Sequence, residues 1–119
     1  KQAAKSAEEI PSCPKWLELE AKREWKRLAK KMEELGILPE VNMIAFAGYC
    51  QAYARWKEAD KFISRHGTIM KTSRGDWQTA PQVSLAQIYN KVMTKFAEEF
   101  FYGKYDYKGI SHSCNYRQD

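Results

Sequence analysis

Between Pro14 and Gly36 one helix has to carry two incompatible chemistries on opposite walls, and few arrangements of a short chain satisfy both. At about 100° per residue, Ala21, Trp25, Leu28, Ala29, Met32 and Leu35 fall on one side, and Lys22, Arg23, Lys26, Arg27, Lys30 and Lys31 on the other. The first wall demands a core. The second faces water or anions. Six basic residues and one acid, Glu24, stand between Lys22 and Lys31, so this segment alone carries as much net charge as the whole chain's +5.

The other features of composition set bounds. A chain of 119 residues fits one modest domain with a single core. We place that domain at 11–102, after a flexible polar segment at 1–10 and before an irregular tail at 103–119. Three cysteines, Cys13, Cys50 and Cys114, are too few and too scattered for a disulfide framework, which points to a reducing compartment. No apolar run approaches the roughly 20 residues that span a bilayer, and no signal-peptide pattern opens the chain. The expectation is a soluble intracellular protein without a membrane partner.

The fold class expected is mainly α: an antiparallel helical hairpin plus a third helix, with a short β-hairpin between helices two and three. The first helix is expected over about 14–35, entered at Pro14 and closed by Gly36. The second is expected over about 39–66, opened by Pro39 and stopped by Gly67. Along it Val41, Ala45, Tyr49, Ala52, Trp56, Ala59 and Ile63 form one stripe, widened by Phe46 and Tyr53 on one flank and by Ile44 and Phe62 on the other. So broad an arc needs cover from two sides, supplied either by the third helix or by another subunit; Ala45, Ala52 and Ala59 allow a close approach. From Thr68 to Ala80 the period changes around Ser73-Arg74-Gly75-Asp76, which reads as a β-hairpin. The third helix, about 82–102, is expected to bury Leu85, Ile88, Tyr89, Val92, Met93, Phe96 and Phe100.

Several chemistries are disfavoured. The six glycines are scattered singly, so no phosphate loop with its lysine is present and nucleotide hydrolysis is not expected. His112-Ser113-Cys114 lacks the companions that a zinc site needs, because His66, Cys13 and Cys50 are distant in the chain. The paired acids Glu8-Glu9, Glu33-Glu34 and Glu98-Glu99 diverge by about 100° on a helix and do not converge on a substrate. Arg74-Gly75-Asp76 is ordinary turn composition. No catalytic residue, metal or cofactor is assigned.

The basic helix face is the candidate site: Lys22, Arg23, Lys26, Arg27, Lys30 and Lys31, with Lys15 nearby. One reading is a solvated surface, in which Glu18 pairs with Lys22 and Lys30 with Glu34. The other is a strip that spans phosphates, since a merely soluble face usually mixes its signs. Neither Asn nor Gln lies on that face, so base readout is not evident. Of the tryptophans, Trp25 and Trp56 sit on core stripes, whereas Trp16 and Trp77 either close the core or enter a subunit contact. The candidate set for an oligomer interface is Phe46, Tyr49, Tyr53, Trp56, Phe62 and Trp77.

The order of residues adds a resemblance. Pro11, Cys13-Pro14-Lys15-Trp16-Leu17, Ala21-Lys22-Arg23-Glu24-Trp25-Lys26-Arg27-Leu28, Leu35-Gly36-Ile37-Leu38 and Ala47-Gly48-Tyr49-Cys50-Gln51-Ala52-Tyr53-Ala54-Arg55-Trp56 occur with similar gaps in one family of phage terminase small subunits, which this chain resembles. The likeness runs through Gly67, Gly75, Pro81 and Leu85 to about Phe100. Pro39 stands where the family often has a capping Thr, and 101–119 does not resemble the usual ending. The resemblance implies a non-catalytic subunit of a tailed-phage or prophage packaging motor in the cytoplasm of the bacterial host. Its implied partners are double-stranded viral DNA, other copies of itself in an oligomer or ring, and a large subunit that carries the ATPase and nuclease. The alternative is a helical homo-oligomeric adaptor that binds proteins without touching DNA.

Overall fold

A computed structural model describes residues 10–102. The tail at 103–119, with His112 and Cys114, and most of the expected flexible segment lie outside the described residues. The architecture is mainly helical: α1 (Leu19–Leu35), a 3-10 turn (Leu38–Glu40), α2 (Met43–His66), strands β1 (Ile69–Lys71) and β2 (Trp77–Thr79), α3 (Pro81–Ala97) and a π-helical ending (Glu98–Tyr102). The strands pair antiparallel, Ile69 with Thr79 and Lys71 with Trp77, so the β-hairpin falls between the second and third helices as expected.

The helix starts differ from those expected of the sequence. Instead of entering α1, Pro14 opens a tight turn closed by the Leu17 amide donating to the Pro14 carbonyl at 3.3 Å. That turn buries Leu17 and leaves Trp16 64% exposed, so Trp16 does not close the core. Likewise Pro39 belongs to the 3-10 turn, and α2 begins after Asn42, whose Oδ1 accepts from the Ile44 and Ala45 amides at 2.8 and 3.1 Å. A side-chain acceptor satisfies two orphan amides, which a proline cannot do. The stop at Gly36 is as expected: with φ 78° it adopts the left-handed cap, its amide and that of Ile37 donating to the Glu33 and Met32 carbonyls.

Two different stripes of α2 are covered by two different helices. Ala52 and Ala59 are buried on the stripe expected from the period, and α3 packs there: Tyr49 stacks on Phe96 at 5.0 Å, while Ala59 and Tyr89 line one shared hollow. The third helix therefore covers this stripe within the chain. The face toward α1 is a second stripe, Ala47, Cys50 and Ala54, all buried. Between the two lies Phe46, completely enclosed, with Trp25 stacked at 4.3 Å and Phe96 at 6.0 Å. It is the centre of the core and not a flank. Phe100 and Phe101 are both buried as well.

The core is confined to one half of the molecule. The α1 start is tied to the middle of α2 by Glu18 to Arg55 (3.3 Å) and Glu20 to Lys57 (3.2 Å), and α1 runs back from there toward the α2 start. Past that point α2 and α3 continue as a two-helix arm tipped by the β-ribbon. The expected narrow buried face of α3 is accordingly incomplete: Leu85, Ile88 and Val92 are 39%, 54% and 42% exposed, because no third helix reaches them among the described residues.

Candidate nucleic-acid interface

The basic run keeps its two walls once folded. Ala21, Trp25, Ala29 and Met32 are buried, with the Trp25 indole donating to the Pro11 carbonyl at 2.9 Å. Lys26, Lys30 and Lys31 are exposed, Lys22 is half-buried at the margin, and Lys15 is exposed in the preceding turn. At the carboxyl end Leu35 is exposed rather than packed.

The single acid of the run turns inward. Glu24 is 3% exposed and accepts from Arg27 Nε at 2.9 Å, Arg27 Nη2 at 2.7 Å and the Tyr49 hydroxyl at 2.5 Å. Its hydrogen bonds to Arg27 raise the guanidinium pKa further above its usual range, while burial first, and then the Glu24 charge, pushes the Tyr49 phenol well up. Tyr49 thus stays a protonated donor. Burial likewise raises the Cys50 thiol, which makes it a core hydrophobe and not a nucleophile.

This geometry divides the candidate residues into two groups. Arg27 is bound bidentately to Glu24, which compensates its charge, and Arg23 pairs at 2.9 Å with Glu20, a carboxylate it shares with Lys57. Lys15, Lys22, Lys26, Lys30 and Lys31 have no carboxylate within 4.0 Å among the described residues. The pairs expected for a solvated face do not form: Glu18 bonds across to Arg55, and Lys30 does not reach Glu34. What remains on the outer wall is a lysine strip whose charge is uncancelled, with no Asn or Gln on it, and lysine bonds phosphate as readily as guanine.

The candidate interface residues separate too. Phe46 has no surface to offer, and Tyr49 is engaged by Glu24 and Phe96. Tyr53, Trp56 and Phe62 are half-buried along α2, and Trp77 is 67% exposed on the ribbon. Sequence reasoning misses the Glu24–Tyr49 bond and the interhelical pairs of Glu18 and Glu20. A signal for the first does exist: on a helical wheel Glu24 falls beside Ala21 and Leu28, on the core side.

No cluster of metal-ligating side chains occurs among the described residues, and none of their helices is long and apolar enough to cross a membrane. No curated protein and no solved structure matches the chain. A family does: the profile described as "Phage terminase, small subunit" matches residues 21–101, which takes in α1 from Ala21 onward, α2, the ribbon and α3. The helix with the lysine strip and the arm that follows it thus lie within one shared framework, and the chain belongs to the phage terminase small-subunit family, with a role in phage DNA packaging.

Proposed function

We propose that the chain is the non-catalytic, DNA-binding component of a packaging motor in the host cytoplasm, gripping double-stranded viral DNA and delivering it to a large subunit that supplies ATPase and nuclease. The observation that carries this reading is the lysine strip of α1, uncancelled because its one acid is folded inward. Each phosphate neutralised by such a strip releases counterions and adds a salt-dependent increment of affinity. Duplex binding titrated across salt tests it. The variant Lys22→Gln/Lys26→Gln/Lys30→Gln is expected to flatten the log K against log salt slope by about 0.9 for each phosphate no longer neutralised, about 2.7 if all three lysines touch phosphate. A parental slope in that variant would remove the α1 face from the DNA interface, and a parent that binds no duplex would favour the adaptor reading.

Self-assembly is proposed on the arm, where Leu85, Ile88 and Val92 form an exposed apolar strip on α3 and Phe62 of α2 lines the same hollow as Leu85. Burying such a strip against another copy recovers about 25 cal/mol per Å² of apolar surface. Light scattering is expected to show an oligomer for the parent and a much smaller species for Ile88→Asp/Val92→Asp. A monomeric parent would count against this assembly.

A further inference from the structure

We infer that the β-ribbon is a second contact for duplex DNA, separate from the α1 lysine strip; the inference rests on the DNA-binding function proposed for that strip. Cross-strand register puts Ile69, Lys71, Trp77 and Thr79 on one ribbon face, and all four are exposed. The Lys71 ammonium lies over the Trp77 ring at 5.4 Å from its centroid, which fixes a long flexible cation on the outward face. The tip is equally ordered. Thr72 Oγ1 accepts from the Arg74 and Asp76 amides, both at 3.2 Å, the Thr72 amide donates to the Asp76 carbonyl at 2.7 Å, and Gly75 takes φ 93°. Arg74 projects from this knot into solvent.

Charge points the same way. From Lys61 to Thr79 the chain carries Lys61, Arg65, Lys71 and Arg74 against one acid, Asp76. All four cations are exposed, and none has a carboxylate within 4.0 Å among the described residues. Arg65 also complements the carboxyl-terminal dipole of α2, but Lys71 and Arg74 lie beyond the helix and have no such role. A two-stranded ribbon is marginal by itself in water, and a bare, cationic one is narrow enough to enter the major groove. The ribbon follows the end of α2, which lies about 14–17 Å along the helix from Arg55 and Lys57, the residues that meet the α1 start, at 1.5 Å per residue. It is therefore a distinct foothold, with Lys71 and Arg74 on phosphates and Trp77 holding Lys71 in place.

The test compares Lys71→Gln/Arg74→Gln with the α1 triple variant and the parent on one duplex across salt, with assembly followed by light scattering. All the ribbon side chains altered are exposed, so circular dichroism and mass should match the parent. The ribbon variant is expected to flatten the salt slope by about 1.8, that is about 0.9 for each of two phosphates, and Trp77→Ala to weaken binding with a smaller change of slope. If the α1 variant is flattened while the ribbon variant keeps the parental slope, the ribbon contact is overturned and the DNA-binding function stands. If only the ribbon variant is flattened, the ribbon contact holds and the α1 assignment falls. A ribbon variant that alters the oligomer mass and not the slope makes the ribbon a subunit contact and overturns its DNA role, and a parent that binds no duplex at low salt overturns both proposals.

Discussion

Phe46→Ala is expected to cost about 3–5 kcal/mol of unfolding free energy, the range for removing a buried aromatic ring. The site cannot collapse to compensate, because Trp25 stacks at 4.3 Å from one side and Phe96 at 6.0 Å from the other, each held by its own helix. A domain of this size holds about 5–15 kcal/mol in total, so the loss takes a large share of it and the urea midpoint should fall steeply. Phe46→Leu refills part of the void and should cost far less. Trp16→Ala removes an equally large aromatic and should change stability by no more than about 0.5 kcal/mol, because Trp16 is exposed. Equal midpoints for Phe46→Ala and Trp16→Ala would mean that the three helices do not converge on Phe46.

That contrast between two aromatics shows what is legible in the sequence. Helical period alone finds the helices, the ribbon between the second and third, and the stripe of α2 that α3 covers. It cannot say that a second stripe, Ala47, Cys50 and Ala54, faces α1, because two alanines and a thiol carry little hydrophobic signal. Phe46 belongs to both stripes, and the period alone assigns it to the edge of one. Helix starts are displaced where proline competes with another device: a turn that buries Leu17 takes Pro14 out of α1, and the Asn42 cap does the same to Pro39 in α2. The exposure of Leu85, Ile88 and Val92 is illegible for another reason. Periodicity reports which side of a helix is apolar, and only the length of α1 relative to α2 determines whether anything covers it.

The candidate site is half legible. Spacing places six cations on one wall, but it counts charges without their partners. In the folded chain the arginines are taken up by carboxylates and the lysines are not, a division that follows from reach and geometry. Arg27 lies one turn from Glu24 and presents a planar fork that fits both carboxylate oxygens. A lysine there would make a single point contact. The strip that faces solvent is therefore composed of residues that can pair with an anion without breaking a bond inside the protein.

Arg27→Met should accordingly act on stability more than on DNA. It leaves the Glu24 carboxylate, 3% exposed, with Tyr49 as its remaining donor, and breaking a buried pair from one side costs about 3–5 kcal/mol. The lower end is expected, since the Arg27 side chain is 60% exposed and water can enter the space it leaves. The triple variant Glu24→Leu/Arg27→Met/Tyr49→Phe removes all three polar partners together and should recover most of that loss, because apolar groups of similar volume often replace a buried ion pair without penalty. Its salt slope for duplex binding should stay close to the parental value, since the charge it deletes was already compensated. If Arg27→Met instead folds as stably as the parent and flattens the slope by about 0.9, the guanidinium serves phosphate rather than Glu24, and the division between structural arginines and DNA-facing lysines is wrong.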